Sequence, residues 1–341
     1  MKKRVFALLL LAAMCCALLA GCGEKPPVEQ YFSMMTELAG LEELQMQQTV
    51  HISLNADAAE ELLELEDAPL EAHLITAGTL SRKNRQMKLF FSGGLSSGDL
   101  SFEGELTDLL IDGDALYLNL RKPLARMLES MGADAAAADD WLSADMLKLE
   151  LGGQNDELWS SMDAQSKTQM AATALRLMKA AQQYFTETEP DCITVTKQNG
   201  VTTCTLTMDA RQLAGLLTVI LQDVHDNAAD YYEIFSAMMV DTSGAFELVD
   251  REEFVPELQE QAEEAIAELQ DGDVVPEGNY TSAISRNGSD KDYMQTFRAE
   301  LTGFGTVEIS GESRAAQVER FAPPEGYLTP EDVQDLIYAL Y

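Results

Sequence analysis

Histidine occurs only three times, at His51, His73 and His225, and none of the three has a metal-ligand pattern around it. There is no H-E-x-x-H and no clustered Cys/His spacing, so no zinc site is written into any local stretch. A G-x-S-x-G elbow is also missing, as is a glycine loop ending in Gly-Lys-Ser/Thr. The glycines of "SGGLSSG" open no helix and cradle no phosphate. Positive charge is scarce: 23 Lys and Arg stand against 58 Asp and Glu, a formal charge of −35. Phosphate contacts need clustered cations, so nucleic acid is excluded as a partner. An anionic bilayer surface would repel the chain as well. With 58 carboxylates no single pair stands out for acid–base work. The "DGD" segments at 112–114 and 271–273 read as turns, since neither continues into a calcium loop. The chain reads as non-enzymatic, with no catalytic residue, no metal and no cofactor.

Cysteine is sparse too. Of five, three lie at the N-terminus (Cys15, Cys16 and Cys22), leaving Cys192 and Cys204. Strand alternation places Cys192 away from the face that carries Cys204, so both are expected as free thiols. The only long apolar run is Val5–Ala20, preceded by Lys2, Lys3 and Arg4. That layout is a secretory signal, too short for a comfortable membrane span. It ends Leu19-Ala20-Gly21-Cys22, which resembles the lipobox of bacterial lipoproteins. The resemblance implies cleavage before Cys22 and lipid on its thiol, with the protein held on the extracytoplasmic face of a cell membrane. Residue 23 is Gly, so the aspartate that marks inner-membrane retention in many such lipoproteins is absent. Removing residues 1–21 takes away three cations and no anion, moving the formal charge from −35 to −38. So acidic a body needs a covalent tether to stay at a bilayer, and two or more acyl chains supply one.

Period-2 patterning dominates residues 44–120. In "LQMQQTVHISLN", Leu44, Met46, Val50, Ile52 and Leu54 alternate with polar residues, and only Gln48 breaks the apolar row. Further strands are expected at 71–82 and 85–92, in "GDLSFEGEL" and in "ALYLNL", giving five antiparallel strands in sequence. Helices are expected at 28–41, 122–131 and 163–185. A hairpin at 192–209 turns on Asn199-Gly200. Helices at 210–222, 227–240 and from Pro256 come next, then strands at 278–287, 293–302, 305–311 and 315–321. A last helix is capped by Thr329, and its Val333, Leu336, Ile337 and Leu340 would dock on the body. Strand runs kept apart from helix runs argue α+β: an antiparallel, curved sheet or half-barrel of about ten strands covered by helices. The expected organisation is a signal over 1–21, a lipidated tether over 22–30 and an extracytoplasmic domain over 31–341. That domain is either one body or two lobes, 31–160 and 161–341.

At the level of element order, this arrangement resembles the lipoprotein-carrier fold of bacterial envelopes, an incomplete barrel holding acyl chains under helical lids. The strand faces are apolar on one side and amphipathic helices are at hand to cover them, so a curved sheet closed by helices is expected to enclose an apolar cavity lined by Met46, Met87, Phe91, Phe102 and Met208. The expected function is a membrane-anchored lipoprotein that binds an apolar ligand or envelope component. The alternatives are an interaction module that uses its acidic surface and a transporter's solute-binding component. A solute-binding lobe would need strands alternating with helices, which residues 44–120 lack. No protein partner can be named.

Overall fold

The fold was analysed in a computed structural model that describes residues 26–334, apart from 64–67, 99, 114, parts of 131–141, 151–163, 239–249, 273 and 289–290. Cys22 and the signal residues Leu19, Ala20 and Gly21 lie outside the described residues, as do Leu336, Ile337 and Leu340.

Helix α1 (Pro27–Ala39) leads into β1 (Glu43–Leu54), a short α2 (Ala56–Leu63), β2 (Leu70–Ser81), β3 (Gln86–Ser97), β4 (Leu100–Asp112) and β5 (Ala115–Asn119). Then come α3 (Arg121–Ser130), β6 (Met146–Glu150) and the long α4 (Ala164–Glu187). The second half runs β7 (Ile193–Gln198), β8 (Val201–Asp209), α5 (Ala210–Asp226), α6 (Ala228–Met238) and α7 (Arg251–Asp271). It closes with β9 (Gly278–Asn287), β10 (Asp292–Leu301) and β11 (Gly305–Ala315).

All eleven strands join one open antiparallel sheet, in the order β6-β5-β4-β3-β2-β1-β11-β10-β9-β8-β7. Each half is a meander, and the two meet where β1 pairs with β11 over its whole described length, from Leu44↔Ala315 to Leu54↔Gly305. The two halves therefore share one sheet. An antiparallel sheet has no place for a doubly wound solute-binding lobe.

Local chemistry explains the punctuation. Asn199 and Gly200 both have positive φ (51° and 81°), and Gln198 pairs with Val201. This is the two-residue hairpin whose twist matches that of the strands. Asp209 accepts from the Gln212 N–H while the Gln212 side chain accepts from the Asp209 N–H, a reciprocal box that starts α5. Thr329 and Asp332 make the same exchange where the backbone turns helical again at Pro330. Gly272, at φ 89°, ends α7.

Four expectations need correction. The stretch 22–30 is not all tether, because α1 begins at Pro27 and Val28 is already buried. The stretch 315–321 is not a strand. After Ala315 the chain crosses the strand ends, and side chains hold its backbone: Asn84 donates to the Val318 carbonyl, and Gln86 donates to and accepts from Phe321. Strand β6 arises between the helices expected at 122–131 and 163–185, where no strand was expected. Pro256 sits within α7, which starts earlier at an Asp250 cap.

The core is one-sided. Counting outward from β1, the register puts Leu44, Met46, Gln48, Val50, Ile52 and Leu54 on one face with Ile309, Phe297, Ile284, Leu206 and Ile193. Over β7–β10 this apolar face is sealed by α1, α4, α5 and α7. There Cys204, Leu206, Tyr280 and Ile284 are fully buried beneath Tyr31, Phe32, Leu216 and Phe185. Tyr31 Oη reaches Ser282 Oγ at 2.8 Å, and Glu37 binds both Arg286 and Tyr293, pinning α1 along β9 and β10.

Candidate binding face

Over β1–β6 the same face is apolar but not sealed. Leu74, Leu89, Phe91, Leu95, Leu109 and Ile111 follow from the register, and none of them is buried. Leu74 is 37% exposed, where Leu206 on the other half is 0%. Among the described helices only α3 packs substantially here, against β4, while α2 closes the ends of β1 and β2 through Ala58 and Ala59. Apolar side chains left partly open along one stretch of sheet are a usual mark of an interaction surface.

Local devices hold α3 beside the face. β4 carries a bulge, with the β3–β4 register shifting between Phe91 and Ser92. Gly104, at φ 147°, has the Arg126 guanidinium lying where a Cβ would be, so only glycine lets that cation settle on the sheet. Lys122 Nζ stands 2.8 Å from both Glu105 Oε2 and Asp108 Oδ1. That ammonium holds the Glu105 carboxyl below its usual range. A cleft of about 480 Å³ opens between β4, β5 and α3, lined by Phe102, Leu106, Leu118, Pro123 and Met127.

Met46, Met87, Phe91, Phe102 and Met208 all point to the apolar face, yet they do not share a cavity. Met208 is 3% exposed in the sealed core, and Met46 packs at that core's margin. Phe102 lines the small cleft beside α3, and Met87 and Phe91 lie half-buried on the open half. Helices over β7–β10 fill the space that a common cavity would need.

The opposite face is polar. Along one end of it runs a cleft of about 750 Å³ lined by Gln45, Gln47, Asn287, Asp292, Glu312 and Arg314, with Phe90 and Met294 as apolar members. Residues from β3 to β8 share this cleft, as the saddle shape of a twisted sheet allows. This face also brings together two of the three histidines, which sequence spacing did not foresee. His51 pairs directly with His73 across β1 and β2. Correct register between the two alternating strands would have revealed it. Each turns to its own carboxylate, His51 to Glu71 and His73 to Glu103, at 3.3 Å. His225 binds Asp226 at the end of α5. Among the described residues no group of three or more His, Cys, Asp or Glu is arranged to hold a metal ion.

Cys192 and Cys204 are free and buried. Cys204 faces Val195 across the ladder, and its Sγ lies 3.8 Å from Met34 Sδ. Burial pushes the Cys204 thiol up to about 11 and raises that of Cys192, so neither is an activated nucleophile. No described helix is long and apolar enough to cross a membrane. Comparison with protein-family models, curated proteins and solved structures finds no match to this chain.

Proposed function

We propose that this chain is a non-enzymatic lipoprotein of the extracytoplasmic membrane face, anchored through acyl chains on Cys22. In this reading the open half of its apolar sheet face receives an apolar ligand. The observation that carries the ligand part is the contrast along one continuous face: sealed under helices over β7–β10, only partly covered over the middle of β1–β6, where Leu74 and Gln48 are exposed. Fully covering one leucine-sized side chain is worth about 1.5–3 kcal/mol, so a few such contacts support binding without a deep cavity. The anchor part rests on Leu19-Ala20-Gly21-Cys22 after a basic and then apolar leader. It fits a strongly acidic body that an anionic bilayer would otherwise repel.

Two measurements test these parts separately. Cells fed a clickable fatty acid are expected to label the wild-type chain and not Cys22→Ser, which should also leave the membrane fraction. An unlabelled wild type would remove the anchor. A fluorescent fatty-acyl probe is expected to bind the full chain, and Leu74→Glu, which puts a carboxylate at the middle of the open face, is expected to abolish binding. Equal binding by wild type and Leu74→Glu would remove the ligand site.

A further inference from the structure

Gln48 is the one polar residue that interrupts the apolar row of β1, and the register shows that it is not alone. Gln48 pairs with Thr76 on β2 and with Gly311 on β11. Gly311 pairs with Gln295 on β10, and Thr76 leads through Phe91 to Thr107 on β4. A belt of amides and hydroxyls, broken at Gly311 and Phe91 and with the Thr107 hydroxyl donating to the Asn119 carbonyl, therefore crosses the apolar face at right angles to the strands, level with Gln48. Apolar rows flank it on both sides. Toward one end lie Val50, Leu74 and Ile309; toward the other lie Met46, Leu89 and Leu109.

Three details give the belt a chemical meaning. Gln48 is exposed, and the absence of a side chain on Gly311 leaves room beside it, since a Cβ there would touch only the Gln48 stem and a backbone carbonyl. Gln295 spends its N–H on the sulfur of Met35, a weak acceptor, at 3.3 Å. Read strand by strand, the apolar face of β1–β6 and β11 carries no Asp, Glu, Lys, Arg or His. The belt thus offers donors and acceptors without charge, in the middle of a surface otherwise suited to hydrocarbon. A simple alkyl chain lying there would strip water from the Gln48 amide and return nothing. An ester or amide linkage would return hydrogen bonds.

We infer that the open face selects a neutral diacyl lipid, with its ester linkages seated on Gln48 and Thr76 and its chains running away along the apolar rows. The face extends roughly 20 Å from Gln48 to Leu54 and roughly 13 Å from Gln48 to Leu44, at about 3.3 Å per residue, so hydrocarbon finds a surface on both sides. The strands themselves supply no cation for an anionic headgroup, the Arg126 guanidinium over Gly104 is already paired with Glu129, and the acidic body opposes an anion. This inference rests on the reading of the open face as a ligand site.

The test titrates the full chain with a pyrene-labelled diacylglycerol and with a pyrene-labelled alkane of equal carbon number. Wild type is expected to bind the diacylglycerol about tenfold more tightly than the alkane, the effect of roughly one retained hydrogen bond. Gln48→Leu and Thr76→Val should each reduce or erase that preference by weakening the diacylglycerol, while the alkane binds equally or better. Both sites are on the surface of the sheet, and two independent variants guard against a folding artefact in either. If both probes bind wild type equally, or if both variants keep the preference, the belt is overturned while the apolar site stands. If wild type binds neither probe, or Leu74→Glu binds both unchanged, the site itself falls and the belt with it.

Discussion

Ser33 puts a hydroxyl where nothing answers it. It is 4% exposed on α1, and its Oγ has no hydrogen-bond partner among the described residues. Removing an unanswered polar atom refunds its desolvation, and alanine is the better helix former. Ser33→Ala is therefore expected to stabilise the chain by about 1 kcal/mol, read as a melting temperature higher by about 2 °C. Tyr31, two residues earlier, is the opposite case. Its hydroxyl pairs with buried Ser282, so Tyr31→Phe should cost about 1–3 kcal/mol by orphaning that partner. Buried acids of the core also set the alkaline limit. Cys204 is pushed up to about 11, and Tyr184, Tyr280 and Tyr293 to about 12, each chiefly by burial. Their ordinary values are 9.0 for the thiol and 10.0 for the phenols, so the unfolded chain loses these protons first. Stability is complete below about pH 9 and falls as pH rises toward 11–12, because the unfolded state binds fewer protons there. Melting temperatures recorded from pH 8 to 11 should drop accordingly. A flat profile would show that these groups are open to water.

Among the elements, the contrast between halves of one face predicts unequal costs for similar changes. Leu206→Ala, in the sealed half, should cost about 2–5 kcal/mol, as core truncations do. Leu74→Ala removes the same atoms from a side chain already 37% exposed and should cost under about 1 kcal/mol in urea melts. Much of this element structure was legible in sequence, because alternation is unambiguous where one face is wet. Strands β1–β5 follow from period 2, and the β7–β8 hairpin follows from Asn199-Gly200. β6 was not, since five residues of "MLKLE" are too short to stand out beside a small-residue stretch. Its Leu147 and Leu149 become meaningful only opposite Leu118 and Leu116. The apparent strand at 315–321 failed for the converse reason: alternation needs a partner ladder, and side chains of Asn84 and Gln86 take its backbone groups instead. At the site, period 2 marked the faces of Met46, Phe102 and Met208 strand by strand, and the register joins them with Met87 and Phe91 on one face. It could not show which part of that face the helices seal, because tertiary packing decides it. Gln48 was visible as an exception, but its belt needed the register of six strands.

Across the whole molecule, the β1–β11 seam ties residues near both ends of the chain into the middle of the sheet. The β1–β6 meander pairs consecutive strands without β11, so the seam is the one strand pairing that demands closure across most of the chain, and it is expected to be the slow step of folding. The seam also argues for one cooperative transition in urea, since losing it would expose an edge on each half. Protection within the native state should nevertheless be graded. β8 and β9 sit under α1 and α5 with Cys204, Leu206, Tyr280 and Ile284 fully buried, while among the described helices β2–β5 have only α3 and the end-cap α2. Local opening follows covered apolar contact, so hydrogen exchange is expected to be slowest in 204–208 and 280–284 and faster in 72–78 and 89–95. Adding the diacylglycerol probe should slow the second pair of segments and leave the first unchanged, because a ligand protects only the state that binds it. Uniform exchange across both halves would mean that the face over β1–β6 is covered as well as the face over β7–β10, and an open binding face would then have no physical basis.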